Sequence, residues 1–232
     1  MIFVYNKNNY YLCIVMKQST SHINYIKHPR TQHLPWSESL TSDDKMIQDI
    51  IVFDGKEVIA TEKMDGENTS MYTDYVHARS IDSNNHPSRN WVKGLWSEIG
   101  YNIPINWRLC GENLFAKHSI HYTEENGNPL ESYFYMFSIW NNNNICLSWD
   151  ETIKWASLLG LTTVPVLYDG IFDIDAIKNI DITNKEGYVL RIKDEFHYSD
   201  FKTSVAKYVR KNHVQTSKHW TSEKIIRNEK TT

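Results

Sequence analysis

The chain has 232 residues, of which 41% are hydrophobic, and a formal net charge of −3. A chain of this length and composition can bury a sizeable core as one large domain, so disorder is excluded as the default state. The slightly acidic balance excludes a globally basic nucleic-acid coat protein, and any phosphate-binding surface must therefore be local.

The elements predicted for the first half of the chain are, in order, an ordered loop over residues 28–44, a short helix from Asp43 to about Ile50, a hairpin turn at Asp54-Gly55, a strand over residues 58–62, a strand over residues 70–80, and a helix from Ser88 to Gly100. The turns rest on proline, glycine and aspartate. The last helix has Ser88 as its N-cap and Gly100 as its stop.

The elements predicted for the second half are strands over residues 106–115 and 132–140, a turn at residues 141–144, a helix from Ser148 to about Leu159, a strand over residues 163–168, a short helix over residues 174–180, and strands over residues 186–193 and 204–210. Hairpin-length connections recur among these interleaved strands and helices. The pattern therefore favours an α+β domain built on antiparallel sheets over a parallel doubly wound sheet.

Cysteine usage and apolar runs indicate the compartment. Cys13, Cys110 and Cys146 lack C-x-x-C spacing, so neither a disulfide framework nor a zinc site is predicted, and a reducing interior is the simplest setting. The longest early apolar run, residues 10–16, is too short to span a bilayer, and no signal-peptide cleavage site follows it. We therefore expect a soluble, cytoplasmic or otherwise intracellular protein with no membrane partner.

The strand at residues 58–62 leads into Lys63-Met64-Asp65-Gly66, which has the form K-x-D-G. A lysine whose neutral form is favoured by burial, neighbouring cations or a metal-bound substrate can attack the α-phosphorus of ATP. The glycine would let the backbone approach the nucleotide, and the acid would contact the ribose or organise the site. The motif occurs by chance in roughly one chain in twenty of this length, so alone it favours a solvated turn.

Five later positions supply the remaining chemistry of a nucleotide pocket, and each has an ordinary alternative. Arg79 can neutralise phosphate charge, or it is a surface arginine. Glu112 can accept hydrogen bonds from ribose hydroxyls, or it is a strand-end glutamate. Phe137 can stack on a purine, or it belongs to the core. Glu186 can bind a divalent cation, or it is a hairpin acid, whereas Lys207 is a cation inside an otherwise apolar strand.

In this order these features resemble the ATP-dependent RNA ligases of the covalent nucleotidyltransferase superfamily. The features are K-x-D-G, a glycine-glutamate after a strand, an aromatic strand, E-G with three hydrophobic residues and arginine, and a lysine in a final strand. The resemblance runs from about residue 29 to residue 213 and is strongest with phage-type RNA ligases, whose first motif resembles "EKMDGENT". It implies an ATP-grasp-like nucleotidyltransferase domain with antiparallel sheets flanked by helices, and it suits a protein of viral origin that acts in a host cell.

The resemblance also implies ATP as substrate, Mg²⁺ or Mn²⁺ as cofactor, RNA ends as partners and a covalent lysyl-AMP intermediate on Lys63. Glu62 would contact adenine, Asn68 would bind nucleotide or RNA, and Asp65 and Gly66 would shape the nucleotide site. The phosphates would be contacted by Arg79, and the α-phosphate by Lys207. The ribose would be contacted by Glu112, and the base would stack on Phe137. A metal ion would be bound by Glu186. Residues 29–37 ("PRTQHLPWS") resemble a segment near the start of some members, and we assign them no role.

The sequence departs from the family pattern in two places. Many members carry two lysines separated by one residue in the last motif, whereas Val209 stands two residues after Lys207. Lys202 or Arg210 would then supply the second cation, and with Lys211 these residues would contact RNA or phosphate. Only 25 residues follow Lys207, too few for the OB-fold of DNA ligases and capping enzymes, so no OB-fold is expected.

We therefore expect an N-terminal extension over residues 1–28, a catalytic domain over residues 29–213 and a basic tail over residues 214–232. Residues 202–232 contain eight Lys or Arg against two Glu, and the tail would track an RNA backbone or be a frayed terminus. The favoured function is a monomeric RNA ligase. Two alternatives remain: the adenylation module of a DNA ligase or capping-type nucleotidyltransferase, and a non-catalytic RNA-binding relative.

Overall fold

The structure, a computed structural model, describes residues 25–40, 42, 44–211 and 224–231, together with the backbone of short strands at residues 3–4 and 12–13. Most of the expected N-terminal extension and residues 214–223 of the expected tail therefore lie outside the described residues. The strands are β1 Phe3–Val4, β2 Leu12–Cys13, β3 Gln32–His33, β4 Glu57–Glu62, β5 Glu67–Met71, β6 Val76–Ala78, β7 Arg108–Asn113, β8 Phe134–Trp140, β9 Ile145–Cys146, β10 Thr162–Thr163, β11 Val166–Ile171, β12 Gly187–Ile192, β13 Phe196–His197 and β14 Val205–Val209. The α-helices are α1 Asn90–Ile99, α2 Trp149–Leu158, α3 Ile174–Lys178 and α4 Phe201–Ser204.

Within the described ranges, two larger sheets form the domain. A five-stranded sheet has the order β11-β4-β12-β14-β3, and a seven-stranded sheet has the order β13-β9-β8-β7-β5-β6 with β10 beside β8. Neighbouring strands are antiparallel except for β3 with β14 and β10 with β8. The predicted antiparallel α+β architecture is thus confirmed.

The two sheets face each other because their central strands are apolar on both faces. On β4, Val58 and Ala60 pack with α3 on the outer side of the five-stranded sheet, whereas Ile59 packs inwards with residues of the other sheet. Helices α1 and α2 cover the outer side of the seven-stranded sheet through residues such as Ile99 and Ala156. The inner faces of the sheets thereby become the walls of the site.

Several predicted elements are confirmed. Asn144 has a φ of 57° in the turn between β8 and β9, and Ser148 caps α2 by accepting a hydrogen bond from the Glu151 N–H at 3.3 Å. Trp91, Leu95 and Ile99, which share one face of α1, pack into the core. The sequence pattern therefore located the helices that cover the seven-stranded sheet.

Other predicted elements are wrong. The helix expected from Asp43 to Ile50 is absent over the described residues 44–49, and a 3₁₀ helix, Ile50–Phe53, begins instead where Asp49 caps it. The single strand expected over residues 70–80 is a hairpin, because β5 and β6 pair antiparallel around a turn. The strand expected over residues 163–168 is divided at Pro165, which has no N–H to donate to a ladder. Helix α1 is preceded by a 3₁₀ turn capped by His86, so Ser88 is not its N-cap.

No helix in the described part of the chain is both long enough and apolar enough to cross a membrane.

Candidate active site

A cavity of about 520 Å³ opens between the inner faces of the two sheets. Its volume is within the range of small-molecule sites, roughly 300–1,000 Å³. Lys63 and Lys207 line it from the five-stranded sheet, and Asn68, Glu112 and Phe137 line it from the seven-stranded sheet. Lys63 and Lys207, which are 144 positions apart in the chain, therefore line the same cavity.

The end of β4 fixes the position of Lys63. The backbone N–H of Glu62 donates to the Pro165 carbonyl at 2.8 Å, and the backbone N–H of Lys63 donates to the Gly187 carbonyl at 3.0 Å. Strand β12 therefore holds Lys63 beside Glu186, the residue that directly precedes β12 in the chain. Glu62 also lines the cavity, where burial raises the pKa of its carboxyl.

The Lys63 side chain is held by a carboxylate. Its Nζ donates to Oε2 of Glu186 at 2.6 Å, and the exposed fractions of the two side chains are 25% and 8%. Burial lowers the pKa of Lys63, but the charges of Glu186, Glu112 and Asp65 oppose burial and give a net rise. In the ligand-free cavity the amine is therefore charged, because the carboxylates outweigh the desolvation of the cation, and its neutral form depends on what binds there.

Asp65 organises the loop that follows the lysine. Its Oδ2 accepts a hydrogen bond from the Ile120 N–H at 2.5 Å, and its own N–H donates to the Tyr122 hydroxyl at 2.9 Å. The carboxylate does not line the cavity. Of the two roles expected for this acid, ribose contact and organisation of the site, the geometry of the free cavity favours organisation.

Gly66 is needed for contact with the neighbouring strand. A Cβ at this position would lie 2.6 Å from the Asn113 carbonyl oxygen and 2.7 Å from Leu114 Cδ2. The sequence analysis expected the glycine to admit a nucleotide. The glycine does line the cavity, but the close approach that excludes a side chain is made by the end of β7.

Glu112 and Asn68 are cross-strand partners on β7 and β5. Burial raises the pKa of Glu112 to about 8, with Glu186 and Asp65 adding to the rise while Lys63 and the Gly66 N–H oppose it. The Oδ1 atom of Asn68 is buried and has no hydrogen-bond partner. This wall thus offers hydrogen-bonding groups that a bound polar molecule can satisfy.

The cavity also carries a group of cations. Arg79, Lys207 and Arg30 all line it. Burial and the charge of Lys63 lower the pKa of Lys207, and the Lys207 Nζ lies 3.7 Å from Oδ1 of Asp44. Burial, and then the charge of Arg30, lower the pKa of Arg79. Such a group of cations favours a polyanion such as a phosphate chain.

Phe137 lines the cavity, and its ring meets His28 edge-on at 5.4 Å between centroids. Burial lowers the pKa of His28 to about 3, so this ring is neutral at physiological pH. The two rings give the cavity an aromatic wall, which is the environment that a purine base requires.

Three predicted cation positions do not reach the cavity. Lys202 is exposed on α4, and Lys211 is exposed after β14. The Nε of Arg210 donates to the Lys185 carbonyl at 2.6 Å, so this guanidinium supports a loop. Lys202 and Arg210 therefore do not supply a second cation to the ligand-free cavity, and contact of these residues and Lys211 with RNA or phosphate stays a prediction.

Sequence reasoning missed other residues of the cavity. Arg30 belongs to the segment that received no role, and His28 precedes it. Glu67 and Arg89 form a two-point ion pair at the rim, with oxygen–nitrogen distances of 2.5 and 2.7 Å. Position 67 directly follows the K-x-D-G motif, but Arg89 carried no signal because only the fold brings the turn before α1 to the cavity.

The carboxylates suit a divalent cation, although no group of three or more His, Cys, Asp and Glu among the described residues forms a ready-made metal site. Burial chiefly raises the pKa of Glu112, and the charges of Glu186 and Asp65 add to the rise. Mg²⁺ and Mn²⁺ bind carboxylate oxygens and commonly share them with substrate phosphates. Glu112 and Glu186 would therefore hold such an ion when a nucleotide is bound.

A protein-family model described as RNA ligase matches residues 56–209. Among solved structures, an archaeal ATP-dependent RNA ligase is similar with a TM-score of 0.53 and 17% identity, over 79% of this chain and 48% of that chain. A Naegleria gruberi RNA ligase variant with ATP and Mn has a TM-score of 0.50 and 18% identity, over 79% and 56%. Another variant, with AMP and Mn, has a TM-score of 0.50 and 20% identity, over 79% and 56%.

No curated protein matches the chain in sequence. At these identities the structural matches show a common nucleotidyltransferase fold. The chain spans about half the length of the solved structures that it matches.

Proposed function

Since the chain belongs to the RNA ligase family, we propose that it joins RNA 3′-hydroxyl and 5′-phosphate ends in an ATP-dependent reaction through a covalent lysyl-AMP on Lys63. The observation that carries the proposal is the position of Lys63. Its amine contacts the Glu186 carboxylate in a cavity that is also lined by Glu112 and by the cations Arg79 and Lys207. A divalent cation bound there would neutralise phosphate charge and support the displacement of the leaving group.

In the first step, the Lys63 amine attacks the α-phosphorus of ATP. The ammonium loses one proton, for which Glu186 is the acceptor already at hydrogen-bond distance, and a second proton leaves as the N–P bond forms. The bond between the α-phosphorus and its bridging oxygen breaks, and pyrophosphate leaves with the electron pair. Cationic Lys207 and Arg79 stabilise the charge that develops on the phosphoryl oxygens.

In the second step, an oxygen of the RNA 5′-phosphate attacks the phosphorus of lysyl-AMP. The N–P bond breaks, Lys63 leaves as an amine that takes up protons, and an RNA-adenylate forms. In the third step, the 3′-hydroxyl oxygen of the other RNA end attacks the 5′-phosphorus, its proton is released, and AMP leaves. The new phosphodiester bond joins the ends, and one cavity serves all three displacements because each needs the same charge neutralisation.

The test of the proposal is covalent labelling. Incubation with α-labelled ATP and Mg²⁺ or Mn²⁺ should give an acid-labile protein adenylate, which Lys63→Ala abolishes because it removes the nucleophile. Exposed Lys56 directly precedes the same strand, so Lys56→Ala is the matched control and should label normally. Labelling of Lys63→Ala at the wild-type level would refute the assignment.

A sealing assay then separates the substrate classes. Nicked RNA duplex, nicked DNA duplex and single-stranded RNA are offered to the labelled enzyme, and joined product is measured. We expect joining of RNA only. Preference for GTP in labelling would instead favour a capping-type nucleotidyltransferase, and joining of the DNA duplex would favour a DNA ligase module.

A further inference from the structure

The segment over residues 29–37 is docked along the last strand of the five-stranded sheet. Strand β3 pairs parallel with β14, with Gln32 beside Ala206 and His33 beside Lys207. The Leu34 N–H donates to the Lys207 carbonyl at 2.7 Å, and the Leu34 side chain is fully buried. The segment therefore holds a fixed position next to the strand that presents Lys207 to the cavity.

Polar contacts strengthen this docking. Oδ1 of Asp44 lies 3.3 Å from the His33 Nε2 and 3.7 Å from the Lys207 Nζ. The Ser37 hydroxyl oxygen lies 2.7 Å from the His33 Nδ1 and accepts a hydrogen bond from the Val209 N–H at 3.0 Å. The segment over residues 29–37 and strand β14, which carries Lys207, thus form one structural unit.

Arg30 begins this unit and faces the cavity. It lines the same cavity as Arg79 and Lys207, but unlike them it is exposed, so it lies at the mouth. Position 209, where a second lysine would stand, holds a valine that is 5% exposed and packs away from solvent. The cavity consequently obtains its outer cation from a distant segment of the chain.

We propose that Arg30 binds the β- and γ-phosphates of ATP and stabilises the pyrophosphate leaving group, in place of the second lysine that the last motif lacks. This inference rests on the proposed function. With Lys63 at the α-phosphorus, in-line attack places the leaving group on the far side of that phosphorus, and Arg30 is an exposed cation that lines the same cavity. A guanidinium donates two parallel hydrogen bonds to phosphate oxygens, which suits the terminal phosphates of a nucleotide.

Two equilibrium measurements test the proposal without catalysis. The affinities of ATP and AMP are measured by calorimetry with Mg²⁺ on Lys63→Ala protein, which cannot form the adenylate, with and without Arg30→Ala. We expect ATP affinity to fall roughly tenfold to a hundredfold, the effect of losing hydrogen bonds to a charged group, while AMP affinity is unchanged. Arg30→Lys should restore part of the ATP affinity, and exposed Lys27→Ala, from the same segment, should change neither.

A kinetic pair of assays places the effect in the reaction. Arg30→Ala in the otherwise wild-type chain should slow adenylate formation from ATP, and the joining of RNA that is already adenylated should stay at the wild-type rate because no pyrophosphate takes part. Equal loss in both assays, an equal fall in ATP and AMP affinity, or no fall in ATP affinity would each overturn the role of Arg30. If the wild-type protein binds ATP but forms no adenylate, the proposed function fails, and the ATP and AMP affinities still decide whether Arg30 holds the outer phosphates.

Discussion

The charge state of Lys63 is set by carboxylates rather than by burial. Its Nζ contacts Glu186 at 2.6 Å, the nearby charge of Asp65 adds to that attraction, and so does Glu112 when it is ionised. An ammonium has no lone pair, so this residue becomes a nucleophile only after a proton leaves. Nucleotide and a divalent cation would draw the carboxylates to other partners, which couples loading of the cavity to activation of the amine.

Replacing Glu186 should make the Lys63 amine more reactive at a given pH. The folded-state pKa of Lys63 is raised by the Glu186 charge, so Glu186→Gln lowers that pKa and enlarges the neutral fraction below it. We expect faster acetylation of Lys63 by a small amine-reactive reagent at mildly alkaline pH, quantified by peptide mass spectrometry without nucleotide or metal. Glu98→Gln, an exposed site on α1, is the control. Equal rates in both variants would contradict the electrostatic account.

Glu112 should make stability depend on pH. Its pKa is raised to about 8, so the folded protein binds a proton that the unfolded chain releases above its ordinary carboxyl pKa. The contribution is fully present below that ordinary pKa and is lost as the pH rises through about 8. Glu112→Gln should therefore gain stability relative to the wild type between about pH 5 and about pH 9 in urea unfolding. The exposed Glu131→Gln is the control, and a constant difference across this range would argue against the raised pKa.

At the scale of elements, the connection from β4 to β5 determines the geometry of the site. Four residues, from Lys63 to Gly66, take the chain from one sheet to the other, because β4 belongs to the five-stranded sheet and β5 to the seven-stranded sheet. The K-x-D-G motif is thus the crossing point between the sheets. The small size of Gly66 permits the crossing by letting β5 begin against the end of β7.

Two glycines test this account. Gly66→Ala should destabilise the protein by about 1–3 kcal/mol, because its Cβ would overlap backbone and side-chain atoms at 2.6–2.7 Å. Gly94 is exposed on α1, and no neighbouring atom lies within 4 Å of a Cβ added there. Gly94→Ala should therefore leave the free energy of unfolding unchanged or raise it by up to about 1 kcal/mol. Urea unfolding of both variants measures the difference. A Gly66→Ala protein as stable as Gly94→Ala would mean that β7 moves freely aside.

At the scale of the whole molecule, the last described segment returns to the core. Of the two alternatives for the tail, an RNA-tracking segment and a frayed terminus, the second does not describe residues 224–231, because Asn228 is 1% exposed. Its Nδ2 donates to the Leu114 carbonyl at 2.8 Å, and its Oδ1 accepts from the Tyr122 N–H at 3.1 Å. Tyr122 in turn accepts a hydrogen bond from the Asp65 N–H, so this last described segment stabilises the loop that follows Lys63.

Removing the Asn228 side chain should affect both stability and catalysis. Asn228→Ala leaves the buried Tyr122 N–H and Leu114 carbonyl without these partners, which should lower the free energy of unfolding by about 2–4 kcal/mol. Because the same contacts hold the Asp65 loop, adenylate formation should slow even under conditions where the variant remains folded. Lys224→Ala, an exposed site in the same segment, is the control for thermal unfolding and labelling. A variant as stable as this control would show that the segment is dispensable.

The sequence by itself determined the local chemistry and most local structure. Strands such as β8 and β12 follow from their apolar and aromatic runs, and the cap of α2 follows from Ser148, because these signals act over a few neighbouring residues. The K-x-D-G motif identified Lys63 by a spacing that the chemistry requires. The motif could not show that Lys63 is a cation, because Glu186, the carboxylate that pairs with Lys63, lies 123 positions away along the chain.

Only the tertiary structure decided how distant segments complete the site. Arg30 reaches the cavity because β3 pairs with β14, whereas Arg210 turns to a loop carbonyl although it is only three residues from Lys207. Likewise, Asn228 is buried because it satisfies backbone groups of a loop about a hundred residues earlier. Long-range pairing and the satisfaction of buried polar groups depend on which surfaces meet in the fold, and no local pattern in the chain encodes that information.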